Sequence, residues 1–325
     1  MTHILSRFSA IFLFVLAFSP HVVLAQNNPT PFEYSAQSAR VQNGLLLDVA
    51  LVDKRLVAVG QHGHIIYSDD TGNTWVQAVD VPTRSTLTDI IFLDSKTGFA
   101  VGHDSVILRT QDAGETWQLQ YSERRGEDPL FGVHFTNQRH GIAVGAFSRV
   151  LETQDGGKTW AKRTLIEGSF DDFHLNGIFA DRHDNIYIPA EFGAVYKSTD
   201  KGRTFTAIET PYEGSFWGGM ALDNDNILIW GMRGNAFMSA NEGKLWNKVT
   251  TNTDRSITGG VQLRNGDVVL TGLSGLVLVS DDEGESFAPT VRSDRLSFGT
   301  AAASDTKDTV LLFGVPGIVR HELSN

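Results

Sequence analysis

Short apolar segments separated by glycine-bearing turns recur along this chain. Leu56-Val-Ala-Val-Gly60 is followed by Ile65-Ile-Tyr67, and Val268-Val-Leu-Thr-Gly272 is followed by Leu276-Val-Leu278. Such β-branched and alternating segments are typical of strands, and no segment after residue 25 shows the 3.6-residue period of an amphipathic helix. The pattern therefore predicts an all-β protein.

The apolar segments lead into an octapeptide pattern, Ser/Thr-x-Asp-x-Gly-x-Thr-Trp, which we call the Asp box. Its six copies are spaced 41 to 45 residues apart, the length of one four-stranded β-propeller blade. The Asp can accept backbone hydrogen bonds, the Gly can take positive φ, and the aromatic residue returns the chain to the core. We predict structural roles for these three positions in every copy: Asp70, Gly72 and Trp75; Asp112, Gly114 and Trp117; Asp155, Gly157 and Trp160; Asp200, Gly202 and Phe205; Asn241, Gly243 and Trp246; Asp282, Gly284 and Phe287.

The chain after the last box predicts one further blade. Three strands are expected over residues 298–303, 310–314 and 318–321, and Thr30–Ser35 is expected to supply a fourth. Pairing of the N- and C-terminal strands would then close the ring and remove its open edges. We therefore predict a single all-β domain over residues 26–325, a seven-bladed β-propeller of four-stranded blades, with six blades as the alternative.

The first 25 residues have the features of an export signal. Arg7 precedes an apolar run from Phe8 to Phe18, and small residues for cleavage end at Ala25. The run is shorter than the roughly 20 residues that a membrane span needs. We expect cleavage after Ala25 and a periplasmic or secreted protein that does not itself span a membrane.

Composition narrows the kind of function. The absence of cysteine excludes disulfides, thiolate metal sites and cysteine nucleophiles. The formal net charge of −11 disfavours nucleic acid as a partner, while still permitting a local basic patch. Nothing in the sequence points to a cofactor, and we expect none.

The boxes resemble those of the photosystem II stability and assembly factors. That family's pattern of valine-glycine, a turn, a hydrophobic strand and Ser-x-Asp-Gly-Gly-x-Thr-Trp is matched by residues 100–117 and most closely by residues 143–160. The resemblance implies a chaperone-like, protein-binding propeller that serves photosynthesis, or a periplasmic relative from a non-photosynthetic bacterium. The leader has neither a lipid-attachment cysteine nor a twin arginine, which favours the periplasmic relative.

Binding is expected on the propeller face opposite the boxes, where the crossings between blades meet the turns between second and third strands. Arg84, Arg255 and Arg295 occupy one equivalent position before the first strands of blades two, six and seven, and Arg233 lies in a neighbouring turn. With blade one between blades seven and two, these four residues form a continuous arginine arc. Because guanidinium groups make bidentate contacts with carboxylates, we predict that the arc binds an acidic protein segment.

Blades three to five carry a different set of residues on this face. Phe216 and Trp217 are predicted to contact the partner, and Arg124 and Arg125 add positive charge nearby. Solvated loop side chains with no ligand are the alternative.

A glycan-binding or glycoside-hydrolysing propeller is the alternative function. Asp171-Asp172 and Tyr212-Glu213 could supply an acid and a nucleophile. The Phe/Tyr-Arg-Ile-Pro motif of sialidases is absent, however. We therefore predict a binding protein that is not an enzyme.

Histidines give one metal hypothesis, and calcium at the Asp boxes is disfavoured because a single carboxylate in a tight turn falls short of the six to eight oxygen ligands that calcium needs. His62-Gly-His64 and His103 lie in equivalent turns of adjacent blades. No carboxylate is fixed at a suitable spacing, so we predict no metal site. The partner is expected to be a protein or peptide segment, bound by a monomer.

Overall fold

Seven antiparallel sheets follow one another in chain order. The computed structural model describes residues 33–123, 128–168, 172–315 and 317–323. Six sheets have four strands each, and the described part of the seventh has three. The prediction of an all-β, seven-bladed propeller is confirmed. The predicted export signal lies outside the described residues.

Consecutive strands are neighbours within every blade. Blades one to four consist of β1 Leu46–Val52, β2 Arg55–Gly60, β3 Ile65–Ser68 and β4 Val76–Gln77; β5 Leu87–Phe92, β6 Gly98–Gly102, β7 Ile107–Thr110 and β8 Gln118–Tyr121; β9 Leu130–Phe135, β10 Gly141–Gly145, β11 Val150–Thr153 and β12 Ala161–Lys162; β13 Phe179–Ala180, β14 Ile186–Pro189, β15 Val195–Ser198 and β16 Thr206–Ile208. Blades five to seven consist of β17 Phe216–Ala221, β18 Ile227–Gly231, β19 Ala236–Ser239 and β20 Asn247–Lys248; β21 Ile257–Gln262, β22 Val268–Gly272, β23 Leu276–Ser280 and β24 Ala288–Val291; β25 Phe298–Ala303, β26 Thr309–Gly314 and β27 Gly317–Glu322.

The second strand of each blade is the most deeply buried. All five residues of β6, β10, β18 and β22 are buried, because each strand is covered on both faces by neighbouring blades. These strands are continuous apolar runs, as expected when neither face meets water. The glycine that ends β2 is required by a close approach, since a Cβ at Gly60 would overlap the carbonyl oxygen of Leu45.

Among the residues that the structure describes, seven apolar clusters hold the ring together, one at each interface between adjacent blades. The cluster between blades seven and one joins Leu311 and Phe313 to Leu46, Leu56 and Ile66, and all five side chains are fully or almost fully buried. The ring is therefore closed in the described residues by side-chain packing, which is the main stabilising term of a domain core.

The predicted closing strand over Thr30–Ser35 requires a correction. Residues 30–32 lie outside the described residues, and the part that follows runs along blade one. Ser35 N–H donates to Val81 O (2.9 Å), and Gln77 Nε2 donates to Ala36 O (2.9 Å). Gln77 of the outer strand and Val81 of the loop after it hold this segment along blade one, so its described residues add no strand to β27.

The Asp boxes form the turns between third and fourth strands. In blade one, Asp70 Oδ1 accepts hydrogen bonds from Thr74 N (2.8 Å) and Ser68 Oγ (2.8 Å), and Gly72 N–H donates to Ser68 Oγ (2.8 Å). Trp75 Nε1 donates to Gly72 O (3.2 Å) and packs toward blade seven. The backbone hydrogen bond from Thr74 lowers the pKa of Asp70 to about 2, so the carboxylate stays ionised at neutral pH.

Candidate functional site

Two sets of turns meet on one side of the propeller, which we call the loop face. In blade two, the turn after β6 contacts the crossing before β5, where His103 N–H donates to Thr86 O (2.9 Å). The turn after β22 reaches the next blade, where Ser274 N–H donates to Ser297 Oγ (3.1 Å). The Asp boxes lie at the opposite ends of the strands, on what we call the box face.

The turns between second and third strands share an unusual backbone. Six blades have turns that are described in full, and in each of them one turn residue has φ between +52° and +57°. It is the second residue after β2, β6, β10, β18 and β22, and the equivalent residue after β14. Residues other than glycine rarely adopt this left-handed backbone conformation. We call these positions the tip residues; they are His62, Asp104, Phe147, Phe192, Arg233 and Ser274.

The structure places most of the arginine arc on the loop face without partners. Arg255 and Arg295 come just before β21 and β25, and Arg233 is the tip residue of blade five. Within the described residues, none of these three guanidinium groups makes a hydrogen bond or an ion pair. Arg233 and Arg295 are exposed, and Arg255 is half-buried. Among the described residues, a bidentate ligand therefore meets no competing partner at these groups.

Arg84 is the fourth member of the arc and has one weak contact. Its Nη1 lies 3.4 Å from Glu33 Oε2, and both side chains are more than half exposed, at 54% and 73%. A pair this exposed contributes little to stability. Sequence comparison of the blades missed Arg40, which precedes the short 3₁₀ turn Val41–Asn43 ahead of blade one and is exposed.

The aromatic part of the predicted site is corrected by the structure. Phe216 is fully buried at the interface of blades four and five, where its ring lies 5.1 Å from that of Tyr212. Trp217, the next residue of β17, lines the axial cavity of the propeller instead of the loop face. Alternate side chains of a strand point to opposite faces, and neither face of β17 is the surface.

Arg124 and Arg125 lie outside the described residues, and Arg149 is the nearby arginine that the structure describes. The side chain of Arg149 contacts Glu123 (Nη1 to Oε2, 2.8 Å) and forms an ion pair with Asp128. Arg149 is thus neutralised locally and does not extend the arginine arc.

The axial cavity holds a pair of carboxyl groups that sequence reasoning missed. It has a volume of about 260 Å³, and both Asp48 and Asp89 line it. Asp48 Oδ2 accepts from Ile90 N (3.0 Å) and Asp89 Oδ2 accepts from Val133 N (2.7 Å), so each carboxyl ties its blade to the next. Burial, and then the charge of Asp89, raises the pKa of Asp48 well above its usual range, and burial raises the pKa of Asp89.

Two histidines of the metal hypothesis, His62 and His64, lie together on the loop face. The rings of His62 and His64 are 5.8 Å apart, and burial with the neighbouring His62 lowers the pKa of His64. Within the part of the chain that the structure describes, no three His, Asp or Glu side chains are grouped so that they could hold a metal ion. The same residues contain no helix long and apolar enough to cross a membrane.

Comparison with known proteins identifies the family of this chain. The family model described as "Photosynthesis system II assembly factor YCF48" matches residues 76–128 and 125–269, more than half of the chain. The chain belongs to the YCF48 family. The matched region runs from the outer strand of blade one to β22 of blade six and therefore includes Arg84, Arg233 and Arg255.

Individual relatives agree with this assignment. The photosystem II assembly protein Ycf48 of Thermosynechococcus vestitus is 37% identical over 46 residues, which span 14% of this chain and 13% of that protein. A solved structure described as YCF48 bound to D1 peptide superposes with a TM-score of 0.68 at 14% identity, covering 87% of this chain and 93% of the other. YCF48 from Cyanidioschyzon merolae superposes with a TM-score of 0.67 at 14% identity, covering 86% and 96%. At this identity the two structures show a shared fold.

Proposed function

We propose that this YCF48-family propeller is an exported assembly or stability factor that binds a protein segment on its loop face. The arginine arc takes the carboxylates of that segment, either acidic side chains or a chain terminus. Binding occurs in the periplasm or outside the cell, because the leader has an export pattern.

One observation carries the proposal. Arg233, Arg255 and Arg295 come from three consecutive blades and lie on one face, and within the described residues their guanidinium groups have no hydrogen-bond or ion-pair partner. By contrast, Arg55 on the box face forms an ion pair with Asp69 (2.6 Å). Unpaired guanidinium groups clustered on one face of a chain with net charge −11 favour an acidic ligand.

The family supports a peptide as the ligand. A YCF48 structure with the same fold is described as bound to a D1 peptide. That protein shares 14% of its residues with this chain, so the support is for the kind of ligand and not for its sequence.

We further propose that the chain binds without catalysis. Of the candidate acids and nucleophiles, Asp171 lies outside the described residues, Asp172 is exposed, and Glu213 lines an open cavity with Tyr212. The glycosidase alternative predicts hydrolysis of sialosides or plant glucans by the mature protein. Our proposal predicts none above the rate of a boiled sample.

The binding test replaces Arg84, Arg255 and Arg295 by alanine together. Affinity for a fluorescein-labelled peptide ending in three glutamates and a free carboxylate is measured by anisotropy at several salt concentrations. We expect the triple variant to melt close to the wild type, to bind much more weakly, and to lose most of the salt dependence.

A charge-matched control removes the same net charge from the box face. Arg203, Lys244 and Arg264 are exposed there, and their replacement by alanine should leave affinity unchanged. Equal weakening in both triple variants would show a general charge effect and contradict the proposal. Unfolding of the arc variant would show instead that its arginines hold the blades together.

Export has its own test. N-terminal sequencing of the protein from a bacterial periplasmic fraction should begin at Gln26. Retention of Met1 in a membrane pellet would contradict cleavage after Ala25.

A further inference from the structure

Two phenylalanines on the loop face are exposed and conformationally strained. Phe147 is 49% exposed and Phe192 is 68% exposed, and every other phenylalanine that the structure describes is buried or half-buried. Both are tip residues, with φ of +52° and +54°. Asparagine or glycine would adopt this backbone at lower cost, so neither packing nor turn geometry accounts for phenylalanine here.

The two rings belong to one aromatic patch, defined as Phe147, Phe173, His174 and Phe192. Phe147 lies 4.8 Å from His174, and Phe192 lies 5.1 Å from Phe173, between ring centroids. Phe147 N–H donates to His174 Nδ1 (3.2 Å), and Phe131 packs against the same imidazole at 6.1 Å. The patch therefore has a fixed floor beneath its two exposed rings.

A backbone hydrogen bond and a cavity link the aromatic patch to the arginine arc. Gly193, next to the tip residue Phe192, donates its N–H to Gly214 O (2.6 Å) in the crossing to blade five. That crossing lines a cavity of about 620 Å³, whose far wall includes Arg233. Along the loop face the order is thus aromatic patch, cavity and then the unpaired arginines of blades five to seven.

We propose that the aromatic patch binds an apolar, aromatic side chain of the same peptide segment whose carboxylates the arginine arc binds. The proposal rests on the proposed function, because it gives that peptide a second anchor. Exposed aromatic rings and a strained backbone destabilise the free protein. A bound ring would offset this destabilisation, because it buries the exposed rings and makes ring contacts with them. Charge fixes the direction in which the peptide binds. Its acidic end lies at the arginines of blades five to seven, and its aromatic side chain lies at blades three and four.

The test compares two peptides on two proteins. Both peptides end in three glutamates and a free carboxylate; one carries a phenylalanine upstream, at varied positions, and the other carries alanine there. The variant combines Phe147→Asn with Phe192→Asn, which removes both rings and keeps a residue that tolerates the left-handed backbone. Leu245→Thr is the control, since Leu245 is 60% exposed on the box face.

We expect the wild type to prefer the phenylalanine peptide by about tenfold, the size expected for burying one such ring. The double variant should lose that preference, bind the alanine peptide like the wild type, and melt no lower. The control should keep the preference.

Each contrary result has a distinct meaning. Equal affinity of the wild type for both peptides overturns the aromatic anchor and leaves the proposed function intact. Failure of both peptides to bind overturns the proposed function itself. Self-association of the wild type that the double variant abolishes would make a second copy of this chain the occupant and overturn the inference.

Discussion

The box face and the loop face are built on the same repeat and use it in opposite ways. On the box face, equivalent residues make equivalent bonds: Asp70 accepts from Thr74 N at 2.8 Å, and Asp155 accepts from Thr159 N at 2.9 Å. On the loop face the tip residues share one backbone, with φ between +52° and +57°, yet carry imidazole, carboxyl, phenyl, guanidinium or hydroxyl groups. Repetition therefore marks what holds the blades, and under the proposed function the varied tip residues are what a partner contacts.

The largest expected effect comes from removing a box anchor. Trp117 is 3% exposed, and its Nε1 donates to Gly114 O (3.0 Å). Trp117→Ala should lower the free energy of unfolding by about 3–5 kcal/mol, as large core truncations do. Urea denaturation measures this, with Trp217→Ala as the control, because Trp217 lines the axial cavity and should cost less. An equal cost for both would contradict a special role of the boxes.

A box glycine should cost more to replace than a loop glycine of the same conformation. Gly157 and Gly168 have φ of +78° and +77°, but a Cβ at Gly157 would overlap the ring of Phe99, whereas one at Gly168 meets open space. Both alanine variants are destabilised by the positive φ. The free energy of unfolding of Gly157→Ala should fall by about 2 kcal/mol more than that of Gly168→Ala, because of overpacking. Thermal denaturation of the pair measures the difference, and similar melting temperatures would show that the box turn can relax.

The carboxyl pair of the axial cavity should destabilise the ring when ionised. Because the pKa of Asp48 is raised in the folded chain, the free energy of unfolding should fall as pH rises from about 4 through that raised pKa. Asp48→Asn keeps an oxygen for Ile90 N–H and adds a donor toward Asp89. We expect the variant to melt about 2–4 °C higher at neutral pH, with the gain shrinking toward pH 4. A lower melting temperature at pH 7 would show that the charge itself is needed.

The fifth box departs from the others and offers the smallest effect. Asn241 and Leu245 replace the Asp and Thr of the pattern, and Trp246 Nε1 is buried without a hydrogen-bond partner within the described residues. Asn241 Oδ1 still accepts from Leu245 N (2.8 Å) and Ser239 Oγ (3.0 Å). Asn241→Asp with Leu245→Thr should therefore add only the bond that Thr74 Oγ1 donates to Asp70 Oδ2 in blade one, and raise the free energy of unfolding by about 1 kcal/mol. Either single change should raise the free energy of unfolding by less than the double variant does. Destabilisation by the double variant would show that this box has adapted to its own residues.

Strands, blade number and box positions could be predicted because their causes are local. Apolar runs, a turn carboxylate and an aromatic anchor act within one repeat, so their spacing gives the fold. The path of the N-terminal segment could not be predicted in this way. Hydrogen bonds to Gln77 and Val81, more than 40 residues away, hold it along blade one.

The candidate site was only partly predictable for a similar reason. Arg84, Arg255 and Arg295 could be aligned by repeat register, and their role in binding stays a prediction. Phe216 was assigned to the surface wrongly, because a periodicity does not distinguish a face buried between blades from an exposed one. The strain at the tip residues had no sequence signal, since it depends on φ and not on residue type.

Hydrogen exchange with mass spectrometry tests most directly whether the loop face is the binding face. The mature protein is compared with and without the peptide ending in three glutamates. We predict slower exchange in residues 232–234, 253–256 and 292–297, which carry the unpaired arginines, with no change in the box turns around Asp155 and Asp282. Protection confined to the box turns, with the loop face unchanged, would contradict the account.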